Sequence, residues 1–327
     1  MIDWVGNDAS MKGAFRYMTR RFLATLFLIS LMLLAYGRWH TALFPELSAL
    51  ASGLLIFEIP QWQRRRWDFV LWPTVAVAVA IATHDVGGNF LISAVAVLVV
   101  VLLALRISWS PAIPALSAGL LSVVLHVYSG IYLLSVLVFT VLLVLALSYA
   151  PGFIGVSWTR RDLPPPPKTP PLLRRVVAFG ALAVLWLVLV FAVHHPLLAT
   201  PPLFVAAYEQ ATQSHPYSQT LQHIGLLILG AMLGAGLNML VPGDIWPSML
   251  AVVLAIGILI GIQMPFVPML PLTLLPVIIP ANSLPQYVMF VAVAAISLLT
   301  AAFFLGRRFS DSETRQNNIP GDKIARL

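Results

Sequence analysis

Cysteine is absent from the 327 residues. That excludes disulfides, thiolate metal sites and cysteine nucleophiles, and leaves the compartment open. Charge is scarce: 9% of residues are Asp, Glu, Lys or Arg, against roughly 25% in soluble domains. No Gly-x-x-x-x-Gly-Lys phosphate loop is present, so the chain carries no ATPase of its own. Neither His-Glu-x-x-His nor Gly-x-Ser-x-Gly occurs. No Asp/His cluster has metal-ligand spacing. No catalytic residue, metal or cofactor is therefore assigned, and the chain is not read as an enzyme.

What remains is apolar. Hydrophobic residues make up 60% of the chain. Such a chain cannot cover itself with polar surface, so lipid is its solvent. The net charge of +7 could point to nucleic acid. The basic residues sit just outside the apolar runs, where they set topology, so nucleic acid is not a partner; the bilayer is.

Twelve apolar runs can be marked: residues 22–37, 42–59, 69–83, 89–107, 110–127 and 130–149, then 176–193, 197–213, 220–241, 245–263, 265–281 and 286–306. The expected fold is an all-α polytopic membrane protein with about 12 transmembrane helices. A polar segment, 1–21, precedes them. Thr19-Arg20-Arg21-Phe22-Leu23 approximates a twin-arginine signal but lacks the residue between the arginines and Phe. No small-residue cleavage site follows, so the first run reads as an uncleaved helix. Residues 150–175 form a hydrophilic bridge rich in proline from Pro164 to Pro171. It reads as a semi-rigid polyproline II strut. Residues 307–327 form a polar tail. With the N-terminus inside, all but Arg38 of the 19 basic residues fall on the inner side. That bias predicts a multi-pass protein of the cell's inner membrane with both termini cytoplasmic.

The order of the runs repeats. Ser110-Pro111-Ala112-Ile113-Pro114 in the fifth run matches Met264-Pro265-Phe266-Val267-Pro268 in the eleventh, and Leu116, Leu120, Leu121 and Val123 match Leu270, Leu274, Leu275 and Val277. The chain is thus expected to hold two repeats, 22–149 and 176–306. Each has an even number of runs, so the repeats run parallel, related by an axis along the membrane normal. The second, third, eighth and eleventh runs are at or below the about 17–25 residues a spanning helix needs. They are expected to be little tilted, locally broken or partly inside the bundle. Gly230/Gly234 and Gly257/Gly261 have small-xxx-small spacing and are read as helix-packing positions.

Ionisable groups at membrane depth are costly, and each is a site candidate. Glu209 is expected to be the deepest carboxylate; Glu46 follows Pro45 at the outer end of the second run. Arg106 and Gln263 lie at the inner ends of the fourth and tenth runs. The helix starts after Pro114 and Pro268 could offer free N–H groups to an anion; equally, they could be plain first-turn prolines. Glu209, Glu46, Pro114, Pro268, Gln263 and Arg106 form the candidate substrate-binding set. His40, His195 and His126, at run ends, are candidates for proton coupling.

At Phe44-Pro45-Glu46-Leu47, Thr200-Pro201-Pro202-Leu203 and the two Pro-x-x-Pro elements, the chain resembles the HPP family of integral membrane proteins. The His-Pro-Pro tripeptide of that family does not occur; the two Pro-x-x-Pro elements stand in its place. The family includes a plastid nitrite transporter, so the resemblance implies transport of a small anion. Aromatic acid exporters of the fusaric-acid-resistance type, with their six-span halves, are a second likeness. The expected function is a transporter or channel for a small solute, such as nitrite, with its site between the repeats. A membrane enzyme acting on lipid or isoprenoid, and a non-transporting scaffold, are the alternatives. Homo-oligomerisation is left open.

Overall fold

The structure is a computed structural model that describes residues 8–40, 43–149, 173–213, 215–241 and 244–317. Among these residues it is all-helical. The helices are α1 (Asp8–Arg38), α2 (Glu46–Ala51), α3 (Pro60–Arg64), α4 (Asp68–Asp85), α5 (Phe90–Ser108), α6 (Pro114–Val124) and α7 (Gly130–Tyr149). After the bridge come α8 (Leu173–Ala192), α9 (Pro201–Thr212), α10 (Tyr217–Leu240), α11 (Trp246–Gly261), α12 (Met269–Leu274) and α13 (Leu284–Asn317). Among the described residues six helices are long and apolar enough to cross a membrane: Arg16–Arg38, Phe90–Ser108, Gly130–Tyr149, Leu173–Ala192, Tyr217–Leu240 and Ala281–Phe309.

Local chemistry explains the boundaries. Asn89 caps α5 by accepting a hydrogen bond from the Ile92 N–H at 2.9 Å, which satisfies one of the amides left free at a helix start. Helix α5 stops where Trp109 turns left-handed at φ 54°, and the Ser110 N–H closes back on the Leu105 carbonyl at 3.1 Å. Gln263 makes the same left-handed turn after α11 (φ 54°), with the Met264 N–H on the Leu259 carbonyl at 3.0 Å. Both turns deliver the chain to a Pro-x-x-Pro element.

Four helices are short and almost wholly buried: α2, α6, α9 and α12. Helix α2 continues as a π-helical turn, Ser52–Ile56, in which Gly53 lies against Trp62. Helix α12 gives way to a 3-10 turn, Leu275–Val277. The short helices pack in a closed ring, α2 on α6, α6 on α9, α9 on α12 and α12 on α2. Longer helices surround them: α4 with α5 and α7 on one side, α10 with α11 and α13 on the other, α1 on α2 and α8 on α9. Their outer faces carry large exposed side chains, Phe27, Leu34, Leu103, Leu134, Leu185 and Phe304 among them. An apolar surface this wide suits lipid.

Two hydrogen bonds occupy matching places. The buried Tyr132 hydroxyl, near the start of α7, donates to the Ala118 carbonyl at 3.2 Å. The buried Tyr287 hydroxyl, near the start of α13, donates to the Leu272 carbonyl at 2.9 Å. Basic residues gather at one end of the bundle. Arg21 pairs with Glu58 at 2.7 Å, Arg65 reaches the Ser108 carbonyl, and Arg66 donates to the Leu147 carbonyl at 3.3 Å. Arg175 donates to the Thr212 carbonyl at 3.1 Å.

Several expected boundaries move. Helix α1 begins at Asp8, so most of the segment expected to be a polar lead-in is helical. The fifth run ends at Val124, and the eighth becomes a 3-10 turn, Pro196–Ala199, followed by α9. Helix α13 continues to Asn317, past the expected start of the tail. The proline-rich bridge, up to residue 172, lies outside the described residues.

The glycine pairs behave differently. A Cβ at Gly230 would lie 2.8 Å from the Met269 carbonyl oxygen, and one at Gly234 would lie 2.5 Å from that of Thr273. These glycines let α10 approach the backbone of α12. In the first half the glycine sits on the other partner: Gly119 of α6 meets the Ala76 carbonyl of α4. Gly257 and Gly261 meet nothing within 4 Å, so their expected packing role inside the chain is not what the structure has. Gly234→Ala is expected to cost about 1–3 kcal/mol through forced separation of α10 and α12. Gly257→Ala is expected to stay within about 0.5 kcal/mol. Unfolding in mixed micelles checks both; equal effects would remove the close approach as the reason for Gly234.

Candidate functional site

Among the described residues the most buried carboxylate is Glu46, 1% exposed. It opens α2 directly after Pro45, in the first turn, where the helix dipole favours negative charge. Its Oε1 accepts a hydrogen bond from the Ser117 hydroxyl of α6 at 2.7 Å. Its Oε2 is buried and has no hydrogen-bond partner among the described residues. The bond joins two members of the central ring. One residue past Ser117, the Ala118 carbonyl receives the Tyr132 hydroxyl. A small cavity of about 10 Å³ borders Tyr132 and reaches His40, with Leu43, Leu121, Leu125, Val127 and Ile278. That is room for about one water. Apart from His40 and Tyr132 its walls are apolar, and of its lining residues only His40 is exposed.

The other candidates stand apart. Glu209, expected to be deepest, is only partly buried and lies in the last turn of α9, near the basic end. Helix α9 is short and stops at Thr212, so a residue eight places after Pro201 has already run most of its length. No hydrogen bond or ion pair joins Glu209 to Glu46 among the described residues. Arg106 is half-buried near the end of α5, with its guanidinium 5.9 Å from the Trp109 ring centre. Gln263 is exposed. His40, His126 and His195 are exposed as well, packed edgewise or at a tilt on Tyr36, Tyr128 and Phe290.

Pro114 and Pro268 are buried at the starts of α6 and α12. The amides that follow them are not free. The Ala115 and Leu116 N–H groups bond the Ala112 and Ile113 carbonyls, both at 3.0 Å. The Met269 and Leu270 N–H groups bond the Phe266 and Val267 carbonyls at 3.4 and 3.1 Å. Tight turns ahead of each helix take up the donors that an anion would need, so the first-turn reading of these prolines prevails over the anion-binding one.

Sequence reasoning missed Ser117, Tyr132 and Gln210. Ser117 and Glu46 are 71 positions apart, and no local pattern links them. Tyr132 and Tyr287 could have been found, because each follows a Pro-x-x-Pro element at a similar distance. Gln210 was legible only as a polar residue in an apolar run beside Glu209.

The class these features define is an all-helical protein with several helices apt to cross a bilayer, the makeup of a multi-pass membrane protein. No family model matches the chain, and no curated protein or solved structure is similar to it.

Ser117→Ala would leave both Glu46 oxygens without a partner. It is expected to lower stability by about 1–3 kcal/mol. In a cycle with Glu46→Gln the two changes are expected to couple by about 0.5 kcal/mol or more. Unfolding in mixed micelles measures both, and simple additivity would show that the bond contributes nothing.

Proposed function

We propose that the chain is two parallel six-span repeats and works as a membrane transporter or channel for a small solute, with its working centre at the ring of short helices. Twelve crossings and cytoplasmic termini complete this reading. The paired tyrosine bonds, the paired left-handed turns at Trp109 and Gln263 and the paired Pro-x-x-Pro elements support the repeat. So does the exchanged packing, in which α2 meets α12 as α9 meets α6. The gathering of arginines at one end supports the orientation.

One observation carries the functional reading: Glu46, buried between two broken spans with Oε2 unpartnered. A lone carboxylate at the centre of an apolar bundle destabilises it, and such groups mark ion or proton pathways. Short, proline-interrupted spans at matching places in two repeats are where transporters bind their solutes. The likeness to HPP proteins favours a small anion such as nitrite. Carrying a proton, Glu46 offers a donor to such an anion; ionised, it repels one. That pairing links solute movement to proton movement.

Flux in proteoliposomes tests the proposal. Nitrite uptake driven by an inward proton gradient is expected to exceed that of empty liposomes. Glu46→Gln is expected to cut it tenfold or more while the variant still purifies as a folded protein. Absence of flux across a panel of small solutes would overturn transport; full flux in Glu46→Gln would overturn the role of Glu46.

The absence of cysteine makes topology measurable without background. Single cysteines at His40, His126 and His195 are expected to react with an impermeant maleimide from the outer face of cells. Cysteines at Arg66 and Gln263 are expected to react only after lysis. Labelling of either of the latter two in intact cells would overturn the twelve-span orientation.

A further inference from the structure

Far along the chain from Glu46, at the basic end, lies a cavity of about 210 Å³. That is many times the about 10–15 Å³ that one water needs. It forms where the last turn of α9, the start of α10 and the charged stretch of α13 meet. Gly306 sets the distance: a Cβ there would lie 3.0 Å from the Gln210 carbonyl oxygen and 3.3 Å from that of Ala211. Two kinds of side chain line it. Tyr217 and Phe303, with ring centres 5.6 Å apart, make an apolar side. Gln210, Gln213, His215 and Arg307 make a polar one. No carboxylate is among the lining residues.

Gln210 is the informative residue. It is 1% exposed, yet neither Oε1 nor Nε2 has a hydrogen-bond partner among the described residues. Leaving one buried polar atom unsatisfied costs about 1–3 kcal/mol, and here two are left on one side chain at the cavity wall. His215 is not a partner either, and its Nδ1 bonds Gln219 Oε1 at 3.0 Å. An amide that lacks both a donor and an acceptor contact, beside an arginine, suits an oxyacid group. The Nε2–H₂ and the guanidinium donate to its oxygens, and Oε1 accepts from a protonated oxygen or a water that the group carries. The aromatic side suits a flat apolar body attached to that group.

We infer that this cavity is a binding site for an oxyanion carried on a small apolar body, held by Gln210 and Arg307 and packed on Tyr217 and Phe303. A free carboxylate and an anionic lipid headgroup present the same chemistry at this depth. The site is separate from Glu46, and the inference does not depend on transport.

Binding to the purified full chain in detergent tests it, with benzoate as an oxyanion on an apolar body and inorganic phosphate as a bare oxyanion. Nanodiscs of phosphatidylglycerol and of phosphatidylcholine supply the lipid arm. Benzoate is expected to bind and to raise the unfolding temperature, more than chloride at equal ionic strength. Arg307→Ala and Gln210→Leu are each expected to weaken binding tenfold or more. Without ligand, Gln210→Leu is expected to unfold at the same temperature as the parent or higher, because it removes two unpartnered polar atoms. A purely structural glutamine would instead lower it. Benzoate excluded only in phosphatidylglycerol discs would identify the lipid as the natural occupant. The inference fails if benzoate, phosphate and phosphatidylglycerol bind no better to the parent than to both variants.

Discussion

The structure depends on one constraint: a backbone polar group inside a bilayer must be satisfied by protein, because lipid offers it nothing. Long helices meet that demand within themselves. Helices of six to twelve residues, such as α12, α2, α6 and α9, cannot reach water at both ends, since each residue advances only about 1.5 Å. Their ends must lie inside protein. The closed ring α2–α6–α9–α12, enclosed by longer helices, meets this demand for all four at once. Packing, not hydropathy alone, is therefore what the eight surrounding helices supply.

The broken ends show how the demand is met. Tight turns before α6 and α12 occupy the first amides, and the buried tyrosines of α7 and α13 reach carbonyls within the short helices. Prolines at these positions remove donors that would otherwise need partners. The same features leave little spare backbone for a ligand. Polar capacity inside the ring comes down to side chains, chiefly Glu46 and Gln210.

Much of this was legible in the sequence. The long apolar runs between the first and the last marked their helices to within a few residues, whereas α1 starts well before its run and α13 ends well after its own; Pro-x-x-Pro marked the breaks, because proline's lost N–H acts locally. The broken backbone of the eleventh run was also legible: five prolines from Pro265 to Pro280 leave only six α-helical residues. What failed needed knowledge of neighbours. Gly230/Gly234 and Gly257/Gly261 have identical spacing, yet only the first pair faces another helix. Spacing states which residues share a face and not what that face meets. Glu209 and Glu46 were ranked by position within their runs, whereas burial is decided by which helix lies across from each. Ser117 was invisible for the same reason.

The two polar residues of the ring also differ in a way that bears on mechanism. With Pro45 matched to Pro201, the position of Glu46 is taken by Pro202 in the second half, and that of Gln210 by Leu54 in the first. Neither polar group is duplicated in the proposed repeat. Glu46 lies in the first turn of α2 and Gln210 in the last turn of α9. In the parallel arrangement proposed above, α2 and α9 run in the same direction across the membrane. Glu46 then lies toward the outer side and Gln210 toward the inner, basic side. Two copies of one scaffold would thus present two unlike polar stations in series, an arrangement that a strictly symmetric ring could not provide.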